Sequence, residues 1–108
     1  MESKTIAKIG ELEELYNDSM DNLAIIFKHS TRCPISAKAD EEMQKVIAED
    51  NDDVIVTKVL VVENKDISDK IAKDLEVEHQ SPQVIIVKDR KAIYNVSHRE
   101  ITKKNIDN

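Results

Sequence analysis

Two apolar runs rich in β-branched residues constrain the fold of this chain more than any other feature. Leu23–Phe27 and Val54–Val62 are apolar enough for strands covered on both faces, which is typical of parallel sheets flanked by helices. Between them, Pro34 opens a segment with apolar residues at spacings of three and four, and Glu49–Asp53 closes it with poor helix formers. A strand, a helix and a strand in this order predict a right-handed βαβ crossover.

The rest of the sequence adds helices and a hairpin to this unit. Ile6–Tyr16 and Asp66–Leu75 carry apolar residues at helical spacing, so each predicts an amphipathic helix, and Asp66 can cap the second. Val84–Val87 and Ala92–Val96 are short strands whose connection is too short for anything but an antiparallel hairpin. The predicted order is α-βαβ-α-ββ-α, an α/β fold with helices on both faces of a mixed four-stranded sheet.

A final helix is predicted to begin directly after the hairpin. Ser97 and Glu100 have the spacing of a capping box, in which each side chain accepts a backbone N–H of the other residue. Val96 and Ile101 stand at the two positions of a hydrophobic staple. The two motifs together place the start of this helix at Ser97.

Length and composition limit the class of protein. The 108 residues suit one domain, residues 1–108, with a core that needs no cross-links. The single cysteine cannot close an intramolecular disulfide, and no apolar run approaches the roughly 18 residues of a membrane span. Because Met1–Gly10 also lacks a signal-peptide stretch, we expect a cytoplasmic protein without a membrane partner. The formal net charge of -6 repels polyanions, so nucleic acid is not an expected partner.

Cys33 is the residue with the clearest chemical potential. It directly precedes the helix that Pro34 opens, where unpaired backbone N–H groups and the helix dipole favour the thiolate over the thiol. The alternative interpretation is that Cys33 is a buried and inert cysteine. Its position in a loop between a strand and a helix argues against this, because such loops are exposed. The groups expected to stabilise the thiolate are the amides of Ile35 and Ser36, the Ser36 hydroxyl, and the charges of Arg32 and Lys38.

Ser36 holds the place that the second cysteine of a Cys-x-x-Cys redox enzyme would hold. Its oxygen cannot resolve a mixed disulfide formed by Cys33, so release requires a second thiol molecule. Other chemistries lack their motifs: Ala39 replaces the arginine of a Cys-x5-Arg phosphate loop, and Gly10 is the only glycine. The three histidines and Cys33 have no recognised zinc spacing, so no bound metal is expected.

Three segments resemble the YtxJ-like monothiol bacilliredoxins. Phe27–Ser36, which reads Phe-Lys-His-Ser-Thr-Arg-Cys-Pro-Ile-Ser, resembles the active-site segment of that family. His79–Gln83 resembles its cis-proline loop, and Ser97–His98 followed by Ile101–Thr102 resembles the start of its last helix. The resemblance covers most of the chain from Leu23 onward, and it implies a thioredoxin-like fold with a cis Ser-Pro bond.

The resemblance also implies an activity, the reduction of mixed disulfides between client proteins and bacillithiol. Cys33 would attack the sulfur of the thiol and become bacillithiolated itself. Bacillithiol or another low-molecular-weight thiol would then be a co-substrate, with no bound cofactor, and bacillithiolated proteins would be the partners. The family pattern has a small polar residue more commonly where Arg32 stands, and a glycine in the turn at Asp89–Lys91. The residues expected to contact the substrate are Thr31, Ser81, Pro82 and His98.

Two functions of other classes stay open at this point. The chain would be a non-catalytic adaptor if a partner docks at the Pro82 edge and Cys33 serves only as a redox mark. Iron–sulfur ligation by Cys33 with a small thiol would resemble monothiol glutaredoxins, although the Gly-Phe of their motif is missing. His29 follows the apolar run Leu23–Phe27 and Lys28. It is expected to fix the loop by a hydrogen bond rather than to act as a catalytic base.

Overall fold

The computed structural model describes residues 2–49 and 53–107. In this part of the chain, five strands form one mixed sheet in the order β1-β3-β2-β4-β5. The strands are β1 (Glu2–Ile6), β2 (Leu23–His29), β3 (Val54–Leu60), β4 (Gln83–Lys88) and β5 (Lys91–Ser97). The helices are α1 (Ile9–Asp18), α2 (Pro34–Ile47), α3 (Lys65–Leu75) and α4 (Lys103–Asp107), with a 3₁₀ turn at His98–Glu100.

The centre of the sheet is the predicted βαβ unit. β2 and β3 pair in parallel with α2 as their crossover, and β4 pairs antiparallel with both β2 and β5. Helices cover both faces of the sheet, so the predicted α/β architecture is confirmed. Among the described helices, none combines the length and the apolarity that crossing a bilayer requires.

Within residues 2–49 and 53–107 the sheet has five strands, so the prediction of four is wrong. Residues 2–6 form β1, which pairs in parallel with β3. Helix α1 begins only at Ile9, where the Glu11 carboxylate accepts the N–H groups of Ala7 and Lys8 at 3.1 Å each. Ile6 is spaced three residues from Ile9, as on a helix, but it is buried as a strand residue. Ile6 is the only apolar residue of β1, so the sequence of this strand lacks the alternating apolar pattern from which a strand is predicted.

The last helix begins later than predicted. Ser97 makes no side-chain capping bond, and the residues after it form only a short 3₁₀ turn. His98 has a φ of 55° and its N–H donates to the Pro82 carbonyl at 3.0 Å, so this backbone is bound to the start of β4. The helix starts at Lys103 instead, where Thr102 Oγ1 accepts the Asn105 N–H at 3.2 Å.

Two smaller details differ from the sequence prediction. Helix α3 begins at Lys65 with Asn64 as its N-cap, so Asp66 lies in the first turn and does not cap it. The β4–β5 turn contains no glycine, yet Asp89 and Arg90 both have positive φ, 53° and 64°. Such φ values suit a two-residue hairpin turn. The turn is held by Ser19, whose carbonyl and hydroxyl accept the two N–H groups at 2.8 and 3.0 Å.

The two faces of the sheet carry separate hydrophobic cores. Because side chains alternate along a strand, Ile25 and Phe27 of β2 pack with α2 and α4, while Ala24 and Ile26 pack with α1 and α3. The next two residues, Lys28 and His29, are polar and buried as well, and the same alternation sends them to opposite faces.

Candidate active site

Cys33 lies at the N-terminus of α2, beyond the end of β2. It is the N-cap residue of that helix, with an extended backbone and with Pro34 in the first helical position. Its carbonyl accepts the Ala37 N–H at 3.0 Å, while the N–H groups of Ile35 and Ser36 belong to the first turn and have no partner within the helix. The thiol is half-buried. A thiolate at this position has two amide donors and the positive end of the helix dipole beside it.

Ser36 is fully buried and holds the loop before Cys33. A hydrogen bond of 2.6 Å joins Ser36 Oγ to His29 Nδ1, and the Ser30 N–H donates to the same oxygen at 2.9 Å. Among the described residues, none forms a hydrogen bond with Cys33 Sγ, and this includes Ser36. The hydroxyl that the sequence assigns to the thiolate therefore ties the end of β2 to the first turn of α2 instead.

The surroundings of His29 favour its neutral form. Burial is the main cause that lowers its pKa below the ordinary value of 6.5; Asp40 opposes the shift and Lys58 adds to it. Those two residues form an ion pair of 3.0 Å between Lys58 Nζ and Asp40 Oδ1. The imidazole also stacks on Phe27, with the ring centroids 5.2 Å apart. The ring is thus fixed on one side by stacking and at Nδ1 by Ser36, as the loop-fixing role expected for His29 requires.

Strand pairing brings Pro82 to the edge of the sheet where β2 ends. Gln83 pairs with Lys28 on one side and with Ser97 on the other, so Pro82 lies next to the end of β2 and to His98. The Ser81-Pro82 peptide bond is cis, as the resemblance implies. Ser81 Oγ is buried, and no described residue forms a hydrogen bond with it.

A groove with a volume of about 520 Å³ begins at Pro34, the residue after Cys33. One wall is the part of α2 from Pro34 to Glu42, and the other is the segment 98–102, which carries the predicted substrate contact His98. Thr31 and Arg32 lie exposed in the loop that leads to Cys33. The groove is lined by Pro34, Ile35, Lys38, Ala39, Glu42, His98, Arg99, Ile101 and Thr102.

Lys28 and His79 meet on the opposite face of the sheet, and sequence reasoning gave neither a role. Lys28 is 0% exposed, its Nζ donates to His79 Nδ1 at 3.1 Å, and Ser68 Oγ lies 3.3 Å from the same nitrogen. Burial lowers the pKa of Lys28 to about 8, with Asp69 opposing, and burial also lowers the pKa of His79. The available signal was a lysine that directly follows a buried apolar run.

This second network holds the loop that carries Pro82. His79 lies three residues before Pro82, and Gln83 Nε2 donates to the Glu78 carbonyl at 3.0 Å. The loops on either side of the thiol are therefore fixed from two faces of one sheet. No three His, Cys, Asp or Glu side chains of residues 2–49 and 53–107 are grouped to hold a metal ion.

Solved structures share this fold over nearly the whole chain. A thioredoxin-fold protein described as a candidate oxidoreductase is 28% identical with a TM-score of 0.87, covering 97% of this chain and 90% of its own. Thioredoxin of Fasciola hepatica has 18% identity and a TM-score of 0.77, over 96% of this chain and 92% of its own. Mitochondrial thioredoxin 3 of Saccharomyces cerevisiae has 21% identity and a TM-score of 0.73, over 96% of this chain and 89% of its own.

The fold, with a half-buried thiol at a helix N-terminus and a cis-proline at the same edge of the sheet, makes this chain a thiol–disulfide oxidoreductase of the thioredoxin class. Within that class its single cysteine separates it from enzymes that carry two. The model of the monothiol bacilliredoxin BrxC family matches residues 4–106, and the chain belongs to this family. The family resemblance seen in the sequence is thereby confirmed.

Proposed function

We propose that this protein removes bacillithiol from mixed disulfides with client proteins, and that Cys33 is the group that attacks. The observation that carries the proposal is the position of Cys33 as the N-cap of α2, in a chain with no other cysteine. The printed name of the family, monothiol bacilliredoxin, supports the choice of bacillithiol as the thiol.

The reaction is an exchange of one disulfide for another. The Cys33 thiolate attacks the bacillithiol sulfur of the mixed disulfide, a bond forms between these two sulfurs, and the client sulfur leaves as a thiolate that takes a proton from water. The N–H groups of Ile35 and Ser36 stabilise the attacking thiolate, and the exposed Arg32 adds positive charge nearby. A second thiol molecule then attacks the capped Cys33 and restores it.

The remaining predicted residues form the surroundings of the reacting sulfurs. We assign contacts with the substrate to Thr31 in the loop before Cys33, to Ser81 and Pro82 beside the end of β2, and to His98 in the groove wall. Bacillithiolated proteins are the proposed partners, and the reducing cytoplasm is the proposed compartment. No resident cofactor has a role in this exchange.

The first test compares Cys33→Ser with Ser36→Ala on a model protein capped with bacillithiol. We expect Cys33→Ser to remove no cap, because sulfur exchange needs the thiolate. Ser36→Ala should remain active, because the hydroxyl binds His29 and Ser30 and not the thiol. The loosened loop should make it about two- to twelvefold slower, the equivalent of one neutral hydrogen bond of roughly 0.5–1.5 kcal/mol in the barrier. Intact mass spectrometry of the client and of the enzyme measures both results.

Free cysteine at the same concentration is the control. A wild-type protein no faster than free cysteine would contradict the enzymatic proposal and favour the adaptor function. Colour after anaerobic reconstitution with iron and sulfide, together with no removal of caps, would favour an iron–sulfur carrier. A Ser36→Ala protein that folds but is as inactive as Cys33→Ser would show that the role of the first helical turn is assigned wrongly.

A further inference from the structure

The groove beside Cys33 is lined by two cationic side chains and one carboxylate, in a chain whose formal net charge is -6. Lys38 from α2 and Arg99 from the 98–102 segment line it, and no described residue forms an ion pair with either of them. Cations without partners on an acidic protein mark a place where an anion is favoured.

The acidic residue in the groove lining, Glu42, makes its hydrogen bonds with other groups. Both carboxylate oxygens of Glu42 are occupied, one by Lys45 Nζ at 2.5 Å and the other by the N–H of Lys103 at 3.1 Å. These hydrogen bonds lower the pKa of Glu42, that with Lys45 being the first cause. Lys38 also attracts Glu42, as the last and weakest of the causes that lower this pKa, but the hydrogen bonds of Glu42 go to Lys45 and Lys103. The hydrogen-bonding groups of Lys38 and Arg99 are therefore open to a ligand.

The size and position of the groove identify the kind of ligand. A volume of about 520 Å³ lies in the range of small-molecule sites, roughly 300–1,000 Å³. Pro34 and Ile35, the two residues after Cys33, form its near end, so a small molecule bound by its sulfur to Cys33 reaches the groove directly. A low-molecular-weight thiol fits these conditions better than a stretch of a folded client.

We infer that the groove binds a carboxylate of the thiol cap through Lys38 and Arg99, and that it thereby selects negatively charged caps. This inference rests on the proposed function, because the cap is the part that Cys33 receives. Holding the cap by its carboxylate also brings the sulfur of the cap, rather than that of the client, to the Cys33 thiolate. The disulfide formed with Cys33 is then the one that a second thiol molecule can release.

The test uses one model protein carrying either of two caps that differ only in charge, 3-mercaptopropionate and its neutral amide. The measured quantity is the ratio of kcat/KM for the two caps, each corrected for the rate with free 2-mercaptoethanol. We expect a preference for the carboxylate cap. Lys38→Gln and Arg99→Gln should each lower the ratio about two- to fivefold, as for exposed ion pairs, and 0.5 M salt should lower it too.

A matched control removes a positive charge elsewhere. Lys73 is exposed on α3, across the sheet from the groove, and Lys73→Gln should leave the ratio unchanged.

A further experiment places the carboxylate on the client, as an aspartate next to the disulfide, and uses the amide cap. A rate preference that follows the charge of the client would overturn the inference. Equal rates for both caps would also overturn it while leaving the proposed function intact. If a bacillithiol cap on the same protein is also removed no faster than by 2-mercaptoethanol, the proposed function itself fails.

Discussion

Lys28 and His29 are neighbours at the end of β2, both buried, both titratable, and they are stabilised in different ways. His29 has the shorter contact, 2.6 Å to Ser36, and its ring stacks on Phe27. Among the residues that the structure describes, Lys28 has a single side-chain partner, His79 at 3.1 Å, and the Asp69 carboxylate is an opposite charge in its surroundings. The imidazole ring thus has a hydrogen-bond partner and a stacking partner, whereas the lysine carries a charge into an apolar layer.

The difference shows how one strand end fixes two loops with opposite energetic effects. The His29 contact connects β2 to α2 and stabilises the fold around Cys33. The Lys28 contact connects β2 to the loop before Pro82, and desolvation of the ammonium group opposes folding. A charge kept in such a place is consistent with a role in holding the Pro82 loop rather than with a contribution to stability.

The largest expected effect comes from breaking the contact on the Cys33 side. Ser36→Ala should lower the free energy of unfolding by about 2–3 kcal/mol, because His29 Nδ1 and the Ser30 N–H both lose a partner. Urea denaturation measures this change. Ser68→Ala is the matched control on the other face, since His79 keeps its bond to Lys28, and its loss should stay below about 1 kcal/mol. Equal losses would mean that the two faces do not differ in this way.

Removing the charge on the other side should have the opposite sign. Lys28→Met keeps the volume and removes the buried ammonium group, so we expect the free energy of unfolding at pH 7 to rise by about 1–3 kcal/mol. Lys73→Met, at an exposed position, should change it by less than about 0.5 kcal/mol. Destabilisation by Lys28→Met would show that the ammonium group supports the fold.

The pH dependence checks the cause of that effect. The pKa of Lys28 is about 8 in the folded state and 10.5 ordinarily, so the unfolded chain binds more protons between these values. The wild-type protein should therefore gain stability as pH rises from 8 to 10, by about 1–2 kcal/mol relative to Lys28→Met. The advantage of the variant is fully present below pH 8 and shrinks above it. A constant difference between pH 7 and 10 would assign the effect to packing.

The sequence predicts the parts of this site that depend on local chemistry. The apolar run of β2, the proline after Cys33 and the hairpin after Pro82 are each visible within a few residues, and the structure confirms these elements. The family resemblance added the cis bond before Pro82, which composition alone does not indicate.

Tertiary contacts overrode local signals elsewhere. The motif at Ser97 and Glu100 predicts a helix, but the bond from His98 to the Pro82 carbonyl holds the chain in another conformation. The spacing of Ile6 matches the apolar face of α1, but Ile6 pairs with Val59 of β3 as part of the sheet. The partners of Ser36 and Lys28 depend on which face of β2 each neighbouring residue occupies, and the register of the sheet decides this.

The smallest expected effect is an absence of coupling between the two neighbouring residues. Two double-mutant cycles measure it by urea denaturation, one with His29→Phe and Ser36→Ala, the other with Lys28→Met and His29→Phe. The first pair is seven residues apart but in contact at 2.6 Å, so we expect a coupling energy of about 1–2 kcal/mol. The second pair is adjacent in sequence, yet its side chains lie on opposite faces of the sheet and share no hydrogen-bond partner.

The charges near the two residues also differ. The pKa of His29 is shifted by Asp40, Lys58 and Glu63, whereas the pKa of Lys28 is shifted by Asp69. The changes in the second cycle should therefore add to within about 0.5 kcal/mol. Coupling above about 1 kcal/mol in that cycle would mean that the two loops around Cys33 are held by one network across the sheet rather than by two.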